Sequence, residues 1–329
     1  MEALLKQYGS LAPGKYKNWE IKKMTHGFKD KLGEGGFGGV YKGELSNGRT
    51  VAVKILKASK GDGEEFINEV ASISQTSHVN MASILGYYVD GRTRALIYDF
   101  VLNESLKKYI YGDVSLLGLH RLYQIAVGIA KRLEYLHCRC NKRILHFNLK
   151  PHNIFLDEEF YPKISNFGLA KLCTRKESIV SMLGAQGTIG LIAPEVIRRT
   201  FGQVSHKSDI YSHGIMVLEI VGGRKNIKEE VSHTSEIYFP YWAYQHVQLD
   251  DDLKLHGILR KEEEETVRKM ILVGLWPLSE NNEKKNVLNC EFHCRIPLQR
   301  VIGDQVEFLV YHNSDQKIMN ASGRGHQPS

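Results

Sequence analysis

The apolar residues of this chain change their spacing once, near Asn103, and that change limits the folds open to it. Between residues 30 and 57 they alternate as in a strand, interrupted by glycines and by Asn47-Gly48. Asn-Gly between two apolar runs is a strong hairpin signal, because both residues tolerate the positive φ of a tight turn. Glu64 to Ser77 places Phe66, Val70 and Ile73 on one face of a predicted helix, and Ile84 to Val89 and Arg94 to Phe100 read as strands. Beyond Asn103, Leu119, Leu122, Ile125, Ala126, Ile129, Leu133 and Leu136 follow the spacing of one long amphipathic helix. Ser208 to Val221 is apolar nearly all round, as a buried helix would be, and Ile154 to Leu156 and Lys163-Ile164 are short strand candidates. The expectation is an α+β chain with two lobes around a cleft. A small β-rich lobe spans 27–101 and a larger helical lobe spans 104–276. Residues 1–26 form a basic lead-in with little periodic pattern, and 277–329 show no convincing helical period.

A chain of 329 residues has room for an ample core, and its 42% hydrophobic and 25% charged residues are ordinary for a globular protein. No apolar run reaches the length of a membrane span, and the N-terminus lacks the apolar core of a signal peptide. Five cysteines, an odd number without framework spacing, read as reduced thiols of an intracellular protein. Cys138, Cys140 and His146 match no standard zinc pattern. The net charge is +7, and much of the excess lies in Lys6, Lys15, Lys17, Lys22, Lys23, Lys29 and Lys31. These lysines are a solvated basic arm or a segment lying on an anionic membrane surface. Nucleic-acid binding is not expected, because the lysines are not interleaved with an aromatic platform.

Gly33-Glu34-Gly35-Gly36-Phe37-Gly38-Gly39-Val40 follows the pattern G-x-G-x-x-G-x-V. Glycines let a backbone approach phosphate closely and point its N–H groups at it. The motif alone is weak, since dinucleotide-binding proteins share its core. Here it precedes Val51-Ala52-Val53-Lys54, an apolar strand ending in a lysine that needs a counter-charge. Glu69, inside the predicted helix, is placed to supply it. Further on come His146-Phe147-Asn148-Leu149-Lys150-Pro151-His152-Asn153, Asn166-Phe167-Gly168 and Ala193-Pro194-Glu195.

In this order these motifs resemble the protein kinase family over roughly 250 residues. The resemblance implies an ATP site built from Leu32, Gly33, Gly35, Gly38 and Val40 of the glycine loop, Ala52 and Lys54 of the following strand, and Glu69. Tyr98 would guard the adenine pocket, and Phe100 would lie in the hinge that holds adenine by its backbone. Asn148 stands where the family has its catalytic aspartate, Lys150 would neutralise the transferring phosphate, and Asn153 would be a metal ligand. Asn166 stands where the family has its magnesium-holding aspartate. Gly187-Thr188 would lie beside the substrate, and Asp209 would brace the catalytic loop. Lys150, Pro151 and Thr188 resemble the serine/threonine class.

Three further segments resemble plant receptor-like kinases of the leaf-rust-resistance type: Tyr8 to Pro13, Ser235 to Pro240 and Val273-Gly274-Leu275-Trp276. Such receptors carry an extracellular domain and one membrane span before the kinase. The resemblance therefore implies a cytoplasmic location, either as a fragment of a receptor at the plasma membrane or as a receptor-like cytoplasmic form. Its partners would be ATP and signalling proteins, with a role in plant defence.

The departures decide the expected activity. An amide at 148 orients a hydroxyl but cannot take its proton, and loss of a general base costs about 10²- to 10⁴-fold. An amide at 166 is a poorer ligand for magnesium, a hard cation that prefers charged oxygens. The expectation is a pseudokinase that binds ATP with magnesium weakened or absent. The alternative is a weak serine/threonine kinase using magnesium-ATP. Phe147 replaces an arginine that would read activation-loop phosphorylation. The resemblance ends at Trp276, so Glu195 is expected to lack the arginine that pairs with it in related kinases. The tail would come from a changed reading frame or altered splicing, or else be a divergent interaction segment.

Overall fold

The structure is a computed structural model that describes residues 13–35, 38–56, 63–74, 84–90, 93–112, 117–174, 188, 190–197, 203–226, 239–248 and 261–278. The two-lobe expectation holds. The smaller lobe is a six-stranded sheet. Its strands are β1 (Gly14–Lys15), β2 (Lys31–Gly35), β3 (Gly38–Glu44), β4 (Thr50–Leu56), β5 (Ile84–Asp90) and β6 (Thr93–Asp99), in the order β1-β5-β6-β4-β3-β2. All pairs are antiparallel except β1 with β5. The expected hairpin turn joins β3 to β4, with Gly48 at φ 81° and its N–H bonded to Leu45 O at 2.9 Å.

Register sorts this sheet into two faces. Val40, Lys54 and Leu96 are cross-strand partners, as are Lys42, Ala52 and Tyr98, so all six share one face. The opposite face carries Tyr41, Val53 and Ile97 in one row. On that second side lies helix α1 (Asn18–Met24), whose Ile21 and Met24 are buried against Val51, Val53, Tyr88 and Ile97. The basic lead-in is thus not wholly patternless. Ile21 and Met24 are three residues apart on one helical face, and the Lys17 N–H donates to Glu20 Oε2 at 2.7 Å across the first turn. Helix α2 (Glu64–Ser74) covers the first face, with Phe66 and Val70 packed on Leu56, Tyr87 and Leu96.

The larger lobe is built around α4 (Leu119–Glu134) and α6 (His206–Gly222), with β7 (Asn103–Ser105) and α3 (Leu106–Tyr111) leading in. The apolar stripe of α4 and the nearly all-round apolar surface of α6 meet in one core with Leu106, Leu136, Ile154, Leu156 and Phe167. The long helix ends earlier than its spacing suggests. A wider π turn at Tyr135–Arg139 closes it, with the Cys140 N–H donating to Tyr135 O at 3.2 Å. Next come β8 (Arg143–Leu145), β9 (Ile154–Leu156), β10 (Pro162–Ile164), β11 (Lys171–Cys173) and α5 (Pro194–Ile197). After α6 come α7 (Phe239–Gln248) and α8 (Lys261–Leu275). β9 and β10 pair as a hairpin, β7 joins them, and β11 pairs with β8. No helix among the described residues is long and apolar enough to cross a membrane. The segment 279–329 lies outside the described residues, as do Gly36, Phe37 and Gly187.

Candidate active site

The site forms where short strands of the large lobe end beneath the cleft face of the sheet. β8 delivers the loop His146 to Asn153, and β9 and β10 deliver Asn166. A left-handed backbone marks both turning points. Phe147 has φ 55° and Asn166 has φ 67°, conformations that cost a non-glycine residue energy and persist only where packing fixes them. Three contacts fix the first turn. The Asp209 carboxylate accepts from the N–H groups of His146 and Phe147, both at 2.7 Å, and from His137 Nε2 at 2.9 Å. Burial alone would raise the Asp209 carboxyl. The His137 bond and the nearby imidazoles outweigh it and hold the carboxyl below its ordinary value.

The His146 ring, held below its ordinary value by burial, stands edge-on to Phe167 at 4.8 Å between centroids and bonds Ser165 O at 3.0 Å. Phe147 is buried among Leu145, Cys173, Ala193, Val196 and Val204. Where kinases that carry arginine there hold a charge, this chain holds an apolar anchor for the segment around Ala193.

The side chains expected to face phosphate and metal lie within hydrogen-bond reach of one another. Lys54 Nζ donates to Glu69 Oε2 at 2.8 Å, and Glu69 is almost wholly buried. The same ammonium donates to Asn166 Oδ1 at 3.1 Å. Asn166 Nδ2 donates to Asn153 Oδ1 at 3.3 Å, and Asn153 Nδ2 donates to Asn148 O at 2.7 Å. One line of hydrogen bonds therefore runs from Glu69 through Lys54, Asn166 and Asn153 to the backbone of Asn148. Lys150 Nζ donates to Thr188 Oγ1 at 3.1 Å, and burial pushes the Lys150 ammonium below the ordinary lysine value. Asn148 is buried, and its Nδ2 has no hydrogen-bond partner among the described residues. An aspartate there would present oxygens only.

The residues expected to hold nucleotide divide into two groups. Val40, Ala52, Lys54 and Tyr98 share the cleft face of the sheet, and Gly33, Gly35 and Gly38 pair at the tip of β2 and β3. At Gly38, with φ 140°, a Cβ would lie 1.7 Å from Ile55 O, so glycine is required there. Leu32 is exposed, at a register shift of β2. Phe100 is half-buried, with Lys42 Nζ 5.5 Å from its ring centroid. The Tyr98 hydroxyl is buried beside the Glu69 carboxylate. Burial, together with the Glu69 charge, pushes the Tyr98 phenol well up.

Sequence reasoning missed the contacts that hold α2 against the Asn166 turn. Asn68 Nδ2 donates to Gly168 O at 3.1 Å, and Lys171 pairs with Glu64. Their only signal was position, since Glu64 and Asn68 lie four apart on one face with Glu65 and Glu69 beside them. His137 was missed too, although it ends an apolar helix and is buried. No arginine pairs with Glu195 among the described residues; the Ser208 hydroxyl on α6 donates to Glu195 Oε1 at 2.7 Å instead. Asp157 to Glu159 lie in the turn that joins β9 to β10, where Asp157 accepts from Tyr161 N at 2.7 Å and Glu158 and Glu159 are exposed.

Residues 27–250 match the family described as protein tyrosine and serine/threonine kinase. The chain belongs to the protein kinase family. It is similar to plant receptor-like kinases. Rust resistance kinase Lr10 of Triticum aestivum is 51% identical over 286 residues, which cover 85% of this chain and 45% of the relative. PR5-like receptor kinase of Arabidopsis thaliana is 52% identical over 272 residues, 81% of this chain and 41% of the relative. A leaf rust 10 disease-resistance locus receptor-like protein kinase of the same plant, like 2.4, is 52% identical over 265 residues, 79% and 43%. The chain spans less than half the length of these relatives. The family uses ATP and magnesium, and its fold is the α+β arrangement described above.

Asn166 is a neutral amide where the resemblance expects a magnesium-holding aspartate, whereas Asn153 is the residue expected at its position. Both amide oxygens accept hydrogen bonds, and one of the donors is the Lys54 ammonium.

Proposed function

We propose that this protein kinase domain is a pseudokinase of plant defence signalling that binds ATP, transfers phosphate poorly or not at all, and acts through contacts with other signalling proteins. The observation that carries the reading is the contrast inside one site. The Lys54–Glu69 pair is closed at 2.8 Å and the catalytic loop is braced by Asp209, yet both positions that need a carboxylate hold amides. Without a base at 148 the substrate hydroxyl keeps its proton until late, at a cost of about 10²- to 10⁴-fold in rate. Without a carboxylate at 166, charge on the transferring phosphate is left to Lys54 and Lys150. The two losses act on one transition state and need not add.

The defence role is supported by the relatives, one of which is named for rust resistance. A place at the inner membrane surface, within a longer receptor, is supported by the exposed Lys15, Lys17, Lys22, Lys23 and Lys29 around α1. The second reading, a weak serine/threonine kinase, is favoured by the Lys150–Thr188 contact, which joins the catalytic loop to the substrate-side segment. Phosphate transfer from magnesium-ATP, measured beside the Asn148→Asp/Asn166→Asp variant, separates the two.

A further inference from the structure

We propose that the cleft takes a nucleoside triphosphate as the free polyanion, without a divalent cation. This rests on the nucleotide-binding reading above and adds to it the ionic form of the ligand.

The first argument is the state of the two amide oxygens. Asn166 Oδ1 accepts from Lys54 Nζ at 3.1 Å, and Asn153 Oδ1 accepts from Asn166 Nδ2 at 3.3 Å. A divalent cation drawn to these oxygens would meet the Lys54 ammonium and the Asn166 NH₂ already there. Both present hydrogens, and the amide at 166 lacks the negative charge that an aspartate there would bring to magnesium. The Lys54 ammonium occupies the place of a counter-ion.

The second argument is charge. Glu69 is the carboxylate of this cluster, and Lys54 neutralises it. Asn148, Asn153 and Asn166 carry none. Lys150 lies across the site on Thr188 and adds a second cation. A site with two aspartates repels a bare triphosphate, and a cation must bridge them. Amides at 148 and 166 remove that repulsion, and Lys150, with the Lys54 ammonium shared with Glu69, leaves the cluster net positive toward the phosphates. Asn148 Nδ2, buried and without a partner among the described residues, is one more donor.

The test is equilibrium titration of the full chain with ATP by calorimetry, at fixed ionic strength, once in EDTA and once in excess magnesium, beside Asn166→Asp. The expected result is that the parent binds ATP in EDTA within about threefold of its affinity in magnesium, or more tightly. Asn166→Asp should bind at least about tenfold more tightly with magnesium than with EDTA. A parent that binds ATP only in magnesium overturns the proposal and leaves the nucleotide reading standing. A parent that melts cooperatively but binds ATP in neither condition overturns both. If Asn166→Asp fails to fold, the parent's two titrations decide alone.

Discussion

Asp209 should be a costly position at which to remove a charge. It is fully buried on α6 and its two oxygens accept three hydrogen bonds, from His137 Nε2 at 2.9 Å and from the His146 and Phe147 N–H groups at 2.7 Å each. In Asp209→Asn the remaining carbonyl oxygen serves the Phe147 N–H. The new NH₂ then faces the His146 N–H, donor to donor, while a change of His137 tautomer preserves that contact. A buried N–H left without an acceptor costs about 1–3 kcal/mol, and losing the charge weakens the other two bonds, each worth about 1.5–3 kcal/mol when charged. The expected loss is about 3–5 kcal/mol in urea unfolding, in line with breaking a buried charged network. The pH dependence carries a second signature. The folded-state carboxyl is held below its unfolded value of about 3.9. Its contribution is therefore present above that value and is lost as pH falls through the lower folded value. The gap between parent and variant should be wide at neutral pH and close on acidification. A loss under about 1 kcal/mol at neutral pH, or a gap that widens in acid, would refute the reasoning.

Two other outcomes follow from buried contacts. Lys54→Ala strands the Glu69 carboxylate, 1% exposed, without its cation, so urea unfolding should show a loss of about 3–5 kcal/mol, whereas Lys54→Met with Glu69→Leu should recover most of it, without nucleotide binding. Ile21→Ala should cost about 2–5 kcal/mol in the same assay, because Ile21 is 1% exposed between α1 and the sheet; no loss would mean that α1 is not part of the lobe.

Elements whose pattern has a single period were legible in the sequence. The strands β3 to β6 and the helices α4 and α6 lie within a few residues of their expected bounds, because each buries a face whose spacing is fixed by the backbone. That Lys54, Glu69, Asn148, Asn153 and Asn166 lie together was legible because they sit in ordered motifs, and the structure joins them in one chain of bonds. What was not legible is set by tertiary contact. Helix α1 buries only two of its seven residues, Ile21 and Met24, and it is stable because the back of the sheet is apolar where it lies. The π turn at Tyr135–Arg139 left no mark in the spacing of Leu133 and Leu136. The Ser208–Glu195 bond joins residues that no local pattern connects.

The central claim is that two missing carboxylates, in a site otherwise assembled, set the activity. Its most direct test is phosphate transfer from magnesium-ATP to a generic protein acceptor by the purified chain and by Asn148→Asp/Asn166→Asp, at matched stability. The account predicts a parent at background and a variant at least about 10²-fold above it. Equal transfer by both would contradict it and make this an active kinase of another kind. Background transfer by both, with a folded variant, would place the defect elsewhere in the chain.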